Sequence, residues 1–153
     1  MEFSAHDDIS APIDFVYSQV TDFKRFERSI MRRGGDVERL HGGDTATVGT
    51  KWRVNFRLRD KDRTVDAELV EVDAPNTLKI EVTSPSIDGT MVVDLISLSK
   101  THTRLSVKAK AVAKTIPGKL LFQSVRFARV KTENKFKMMV KGFAEDVEAK
   151  HVR

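Results

Sequence analysis

Residues 51–58 read KWRVNFRL, a stretch in which apolar side chains alternate strictly with Lys, Arg and Asn. Successive side chains of a β-strand point to opposite faces, so this alternation predicts a strand with one buried and one solvated face. The same pattern returns at residues 65–69, 78–82, 91–95 and 105–113. Only short turns separate these stretches, and parallel strands need long crossovers, so we predict an antiparallel sheet.

The segment that follows the last of these strands is helical in pattern. Pro117-Gly118 breaks the sheet, and about 30 residues without a further Pro come after it. Their apolar members recur at roughly 100° per residue, which predicts one long amphipathic helix of about eight turns. The apolar stripe consists of Leu121, Val125, Ala128, Thr132, Phe136, Met139, Phe143 and Val147.

The N-terminal part of the chain predicts an edge strand and two short helices. Residues 2–9 are short and mixed, and Pro12 then suits the first turn of a helix over residues 13–20. Thr21-Asp22 resembles an N-cap that begins a second helix, which Gly34-Gly35 ends. The expected fold is therefore α+β. The apolar face of its sheet must be covered, and only the last helix is long enough to do so.

Composition excludes several classes of protein. The chain has 153 residues, a size typical of one domain, so we expect residues 1–153 to form a single domain. It has no cysteine, which excludes disulfides, thiolate metal sites and a cysteine nucleophile. The N-terminal residues lack the apolar region of a secretory signal, and the apolar runs are far shorter than the roughly 20 residues that cross a bilayer. A cytoplasmic location is the expectation.

The net charge of +5 is unevenly distributed. Residues 114–153 carry ten Lys/Arg and four Asp/Glu, whereas residues 1–113 are nearly neutral. The simplest interpretation is the solvated outer face of the last helix. Acidic residues are interspersed, and we expect no aromatic platform for base stacking on this face, which argues against nucleic acid as a partner. Transient contact with an anionic membrane remains an alternative.

Four stretches taken together resemble the START-related lipid-transfer superfamily, which includes polyketide cyclases and is also called SRPBCC. They are ISAPIDFVYSQVTDFKRFER (residues 9–28), VGTKW (48–52), VEVDAPNTLKIEV (70–82) and THTRLSVKAKA (101–111). The resemblance covers nearly the whole chain and implies a helix-grip fold, a curved antiparallel sheet wrapped around a long C-terminal helix. It also implies a cavity between sheet and helix, in which members bind, transfer or chemically alter small molecules.

If this fold is correct, inward residues of the sheet and helix line the cavity. The small residues Ala109, Ala111 and Ala113 leave space beneath the helix, although a filled core is the alternative. Arg129 flanks the apolar stripe, where it could meet a polar ligand group or extend into water. The candidate lining residues are Trp52, Val54, Phe56, Val65, Ala67, Leu69, Ile80, Met91, Val93, Val107, Ala109, Leu121, Val125, Ala128, Arg129, Thr132 and Phe136.

The sequence contains no recognisable catalytic motif. The four histidines are scattered, no metal-ligand spacing occurs, and the Gly-x-Ser-x-Gly elbow of hydrolases is absent. We therefore assign no catalytic residue, metal or cofactor. The leading hypothesis is binding or transfer of a small hydrophobic ligand such as a lipid, isoprenoid or polyketide-like compound. The alternatives are a cyclase or hydratase using Arg129 or Tyr17, and an interaction protein using the basic helix. Oligomeric state stays open.

Overall fold

A computed structural model describes residues 1–58 and 60–152. The described residues form seven strands and four helices. The strands are β1 (Glu2–Ile9), β2 (Asp36–His41), β3 (Lys51–Leu58), β4 (Lys61–Asp73), β5 (Thr77–Thr83), β6 (Ile87–Ser99) and β7 (His102–Ala113). The helices are α1 (Ile13–Val20), α2 (Phe23–Arg32), α3 (Ile116–Phe127) and α4 (Arg129–Val152).

All seven strands belong to one curved antiparallel sheet with the order β1-β7-β6-β5-β4-β3-β2. Consecutive strands from β2 to β7 are neighbours, and β1 returns to pair with β7, with Phe3 opposite Ala109. The predicted α+β class, antiparallel pairing and helix-grip arrangement are confirmed. The sheet is not closed, since β1 and β2 are its two edges.

Strand β2 is an element that the alternation did not reveal. Its sequence DVERLH has few apolar residues, and its pairing with β3 shifts register between Arg39 and His41. A bulge of this kind places two residues opposite one and interrupts the two-residue period. The strand therefore depends on its partner β3 more than on a pattern of its own.

The single eight-turn helix predicted at the C-terminus is wrong in one respect, because the helix is interrupted at Ala128. The Ala128 N–H donates to the Val125 carbonyl at 3.1 Å, a bond three residues back that closes α3. Neither Pro nor Gly marks the break. Helix α4 contacts β1, whereas α3 contacts β7.

The break changes which residues of the last helix are buried. Val140, Ala144 and Val147 of α4 are buried, whereas Met139, a member of the predicted stripe, is exposed. The other α4 members of the predicted stripe, Thr132, Phe136, Phe143 and Val147, are buried or half-buried. The core that α4 completes also contains Ile9, Ala11, Val16, Val20, Phe23, Trp52, Leu69, Leu78, Val93, Leu95 and Leu105.

Polar contacts cap α2 and join α4 to the residue that follows β1. The Asp22 carboxylate accepts a hydrogen bond from the Arg25 N–H at 3.3 Å, which confirms the predicted N-cap of α2. Near the C-terminus of α4, the Glu148 carboxylate accepts a hydrogen bond from the Ser10 N–H at 2.7 Å. None of the described helices contains a stretch long and apolar enough to cross a membrane.

Candidate functional site: the concave face of the sheet

Along each of the strands β3 to β7, the inward-facing side chains are buried towards one end and half-buried towards the other. The half-buried end is on the same side of the sheet for all five strands. On β6, Leu95 is 2% exposed and Val93 is buried, but Met91 is only half-buried. On the antiparallel strand β7, Leu105 is buried and Ala109 is half-buried. Because Met91 pairs with Ala109, the half-buried residues of both strands lie at the same end of the sheet.

The remaining inner strands follow the same direction. Leu69 on β4 is fully buried, whereas Ala67 and Val65 are half-buried. We call the half-buried apolar part of the concave face the cup. The cup lies at the end of the sheet from which α3 departs, and its wall consists of Val54, Phe56, Val65, Ala67, Ile80, Met91, Val107 and Ala109.

Helix α3 is fixed across this end by its first turn. The Thr115 hydroxyl accepts a hydrogen bond from the Gly118 N–H at 3.2 Å, and the Lys114 N–H donates to the Ser86 carbonyl at 2.8 Å. A Cβ at Gly118 would lie only 2.5 Å from that carbonyl oxygen, so only glycine permits this approach. The sequence thus places α3 against the β5–β6 turn, beside the cup.

The seventeen sequence candidates fall into three groups. Three are buried in the core: Trp52, Leu69 and Val93. Twelve are half-buried: Val54, Phe56, Val65, Ala67, Ile80, Met91, Val107, Ala109, Leu121, Val125, Thr132 and Phe136. Two, Ala128 and Arg129, are exposed and lie on a separate groove outside the sheet.

Arg129 has partners of its own at the protein surface. Its Nε donates to the Glu133 carboxylate at 3.0 Å, and its guanidinium carbon lies 5.8 Å from the centre of the Phe3 ring. The other sequence candidate for a polar role, Tyr17, lies on α1, where burial raises the pKa of its hydroxyl. Tyr17 packs against the buried core.

Arg63 is the polar residue of the concave face that the sequence interpretation missed. It lies on β4 in the same inward register as Val65, opposite Phe56 of β3. Its Nε is buried and has no hydrogen-bond partner among the described residues. The alternation that placed Val65 inward also places Arg63 inward, so the signal was present. A guanidinium in an apolar wall can bind a carboxylate, phenolate or carbonyl oxygen.

Glu27 of α2 lies against the start of β3, where the buried Trp52 pairs with Ala67 of the cup wall. Its Oε2 accepts hydrogen bonds from the Arg39 Nη2 at 2.6 Å and from the Trp52 Nε1 at 3.0 Å. The Phe23 ring meets the Trp52 ring edge-on with 5.0 Å between centres. These contacts join α2 to β2 and β3, and they assign Trp52 a structural role.

A second concave feature lies between helices α2 and α4. This groove encloses about 1520 Å³, and its described lining residues belong to helices and their ends, not to strands. Its apolar members are Phe26, Ile30, Phe127, Ala128, Val130, Met138, Met139 and Phe143. Its basic members are Arg25, Arg33, Arg126, Arg129, Lys131 and Lys135, and its acidic members are Glu145 and Asp146.

No cluster suited to a metal ion occurs among the described residues. Groups of three or more His, Asp or Glu side chains at binding distance are absent from residues 1–58 and 60–152.

Solved structures share this architecture. The ZhuI aromatase/cyclase from Streptomyces sp. R1128 superposes with a TM-score of 0.71 at 13% identity, covering 100% of this chain and 96% of that one. Ara h 8.0201 gives a TM-score of 0.61 at 13% identity, with 97% and 95% covered. A START superfamily protein from Mycobacterium smegmatis gives 0.56 at 12%, with 90% and 98% covered.

The chain has the START-like helix-grip fold. Identities this low establish the fold alone, because the same fold carries different activities. No protein-family model matches the sequence, and no curated protein matches it. Within this fold, the half-buried cup lies between the curved sheet and the C-terminal helices.

Proposed function

We propose that this START-like protein binds a small hydrophobic molecule in the cup. The proposal depends on one observation. The inner-face residues of β3 to β7 are buried at one end of the sheet and half-buried at the other. In a filled core the inward residues of all these strands would be buried alike. Here Leu69, Leu95 and Leu105 are buried, whereas Ile80 and Met91 retain exposed apolar surface.

The energetics favour an apolar occupant. Removing about 100 Å² of apolar surface from water is worth about 2.5 kcal/mol, and a small hydrophobic molecule covers both its own surface and that of the cup. Ligand sites of this kind combine apolar walls with a few polar groups that fix orientation. A lipid, isoprenoid or polyketide-like molecule satisfies these requirements.

Arg63 supports a ligand with an oxygen-bearing end. A buried donor without a partner costs free energy, and a ligand carboxylate, phenolate or carbonyl would supply that partner. The guanidinium stays protonated near neutral pH, so it can hold an oxyanion but cannot serve as a general acid or base. This chemistry favours binding over the proton transfer that a cyclase or hydratase needs.

The experiment tests whether a ligand binds in the cup by filling the cup with a large side chain. The substitution Ala109→Trp places a large ring among half-buried wall residues, and Val112→Trp is its matched control on the exposed, outward register of β7. The probes are fatty acids, isoprenoid quinones and the apolar fluorophore anilinonaphthalene sulfonate. Binding to the folded state raises the melting temperature in proportion to the logarithm of ligand concentration.

We expect at least one probe to bind the unchanged chain and the Val112→Trp variant with similar affinity. Ala109→Trp should weaken binding about tenfold or more, equivalent to about 1.4 kcal/mol. If no hydrophobic probe binds, or if both variants bind equally well, the proposal fails. Circular dichroism of each variant checks that the fold is retained.

A further inference from the structure

Helix α3 carries a second apolar stripe, on the side away from the cup. Ile116, Leu120 and Phe127 are 73%, 57% and 94% exposed. At 100° per residue these three side chains lie within about 40° of one another around the helix. The half-buried residues Leu121 and Val125 lie on the other side of the same helix.

The stripe continues past the break at Ala128. Val130, in the first turn of α4, is 72% exposed. Large apolar side chains that are exposed singly need no explanation, but a contiguous group of them marks an interaction surface. We define the α3 outer face as Ile116, Leu120, Phe127 and Val130 together with the exposed cations Lys119, Arg126 and Lys131.

The charged residues within the segment that carries this stripe have one sign. Residues 114–131 contain five Lys/Arg and no Asp or Glu. Lys114 pairs with Asp88 at 2.9 Å and Arg129 with Glu133 at 3.0 Å. The three cations of the α3 outer face make no ion pair with any described residue, so their charge is available to a partner.

We propose that the α3 outer face binds the surface of an anionic lipid bilayer. A helix with exposed apolar side chains and flanking Lys/Arg inserts its apolar stripe at the headgroup boundary while its cations meet anionic lipids. Nucleic acid fits less well, because Phe127 is the sole aromatic residue of this face and stacking platforms use several. The inference goes beyond ligand binding, and it brings the bilayer to the end of the sheet where the cup is uncovered.

The test is co-sedimentation of the full chain with vesicles. Vesicles of phosphatidylcholine alone are compared with vesicles that also contain phosphatidylserine, at low and at physiological ionic strength. We expect binding to the anionic vesicles and weaker binding as salt screens the cations over a Debye length of about 8 Å at 0.15 M. Neutral vesicles should retain little protein.

Two pairs of variants locate the surface. Leu120→Ser with Phe127→Ser removes apolar area, and its matched control, Ile96→Ser with Leu98→Ser, removes exposed apolar residues from β6. Arg126→Glu with Lys131→Glu reverses charge, and Lys100→Glu with Lys150→Glu is the control at exposed positions elsewhere. Each α3 pair should weaken anionic vesicle binding at least tenfold, and each control by less than twofold.

Several outcomes would overturn the proposal. These are equal binding to neutral and anionic vesicles, absence of vesicle binding, or α3 variants that bind as their controls do. A Phe127-dependent dimer in sedimentation velocity, or RNA binding without vesicle binding, would assign the face to another partner. Ala109→Trp should bind vesicles normally, so failure of ligand binding and failure of bilayer binding are separate results.

Discussion

The Glu27 carboxylate on α2 accepts a hydrogen bond from the Trp52 indole N–H on β3 at 3.0 Å. The same oxygen accepts from Arg39 on β2, so one half-buried carboxylate joins a helix to two strands. This contact links α2 to the buried start of β3. It also places the only tryptophan of the chain where its fluorescence reports on that packing.

The Glu27→Ala substitution should destabilise the protein by about 2 kcal/mol, because it leaves the Arg39 and Trp52 donors without their acceptor. Glu27→Gln keeps an acceptor oxygen and should cost less. Denaturant unfolding followed by Trp52 fluorescence measures both changes. Glu81→Ala, at an exposed position of β5, is the control and should change stability by no more than about 0.5 kcal/mol. Equal stability of Glu27→Ala and the control would refute the role of this contact.

Shortening an inward-facing side chain should lower the free energy of unfolding more where the inner face is buried than where it is half-buried. Leu69→Ala removes a fully buried side chain and should cost about 2–5 kcal/mol through lost transfer energy and the cavity left behind. Met91→Ala, in the half-buried cup, should cost less than half as much. Chemical denaturation of the ligand-free protein measures both. Equal losses would mean that the cup is as tightly packed as the core.

The two helical glycines Gly118 and Gly142 should respond oppositely to alanine. Gly118→Ala brings a Cβ against the Ser86 carbonyl and should destabilise α3 by about 1–3 kcal/mol. Gly142→Ala meets nothing within 4 Å in α4 and should stabilise by up to about 1 kcal/mol, since alanine is the better helix former. Thermal unfolding and amide exchange within α3 distinguish them. Similar protection of α3 in the two variants would contradict the close approach.

Arg63 should determine affinity for acidic ligands without being needed for folding. Arg63→Leu removes a buried donor that lacks a described partner, so stability should be retained or rise slightly. Affinity for a fatty acid should fall about tenfold or more, while affinity for the matching fatty alcohol changes little. Calorimetry on the ligand pair checks this. Equal losses for acid and alcohol would show that Arg63 does not contact the carboxylate.

Three carboxylates that pair with arginines should make stability depend on acid pH. Hydrogen bonds from Arg104, Arg39 and Arg53 hold the pKa values of Asp8, Asp44 and Asp66 below their ordinary values. Their contribution is complete above the unfolded-state pKa of about 3.9 and is lost as pH falls through the lower folded-state values.

Melting temperature should therefore fall as the pH drops below about 4. The Asp8→Asn variant should show a smaller fall, because it has already lost the Arg104 pair at neutral pH. Asp73→Asn, at an exposed position of β4, should follow the unchanged chain. Parallel pH curves for Asp8→Asn and the unchanged chain would contradict this assignment.

Most of the fold could be predicted from local patterns. Alternation fixed the strands around Trp52 and Leu105, and the Asp22 cap and Pro12 marked two helix starts. Strand β2 was missed because its bulge interrupts the period. The cup was partly predictable, since the alternation that gave Val65 also implied Arg63. Arg129 was chosen from its angle on an unbroken helix, and the break at Ala128 removed the basis for that choice.

The sequence by itself determined which side chains face inward on each strand, because the two-residue period is a property of the local backbone. Only the tertiary structure decided which of those inward residues are covered. Leu69 and Met91 have the same pattern around them, yet α4 and the helices α1 and α2 bury one end of the face. Helix α3, held at Gly118 and turned at Ala128, leaves the other end half-covered. The burial of an inward-facing side chain depends on where helices that are distant in the sequence pack. The two-residue period of a strand contains no information about that packing.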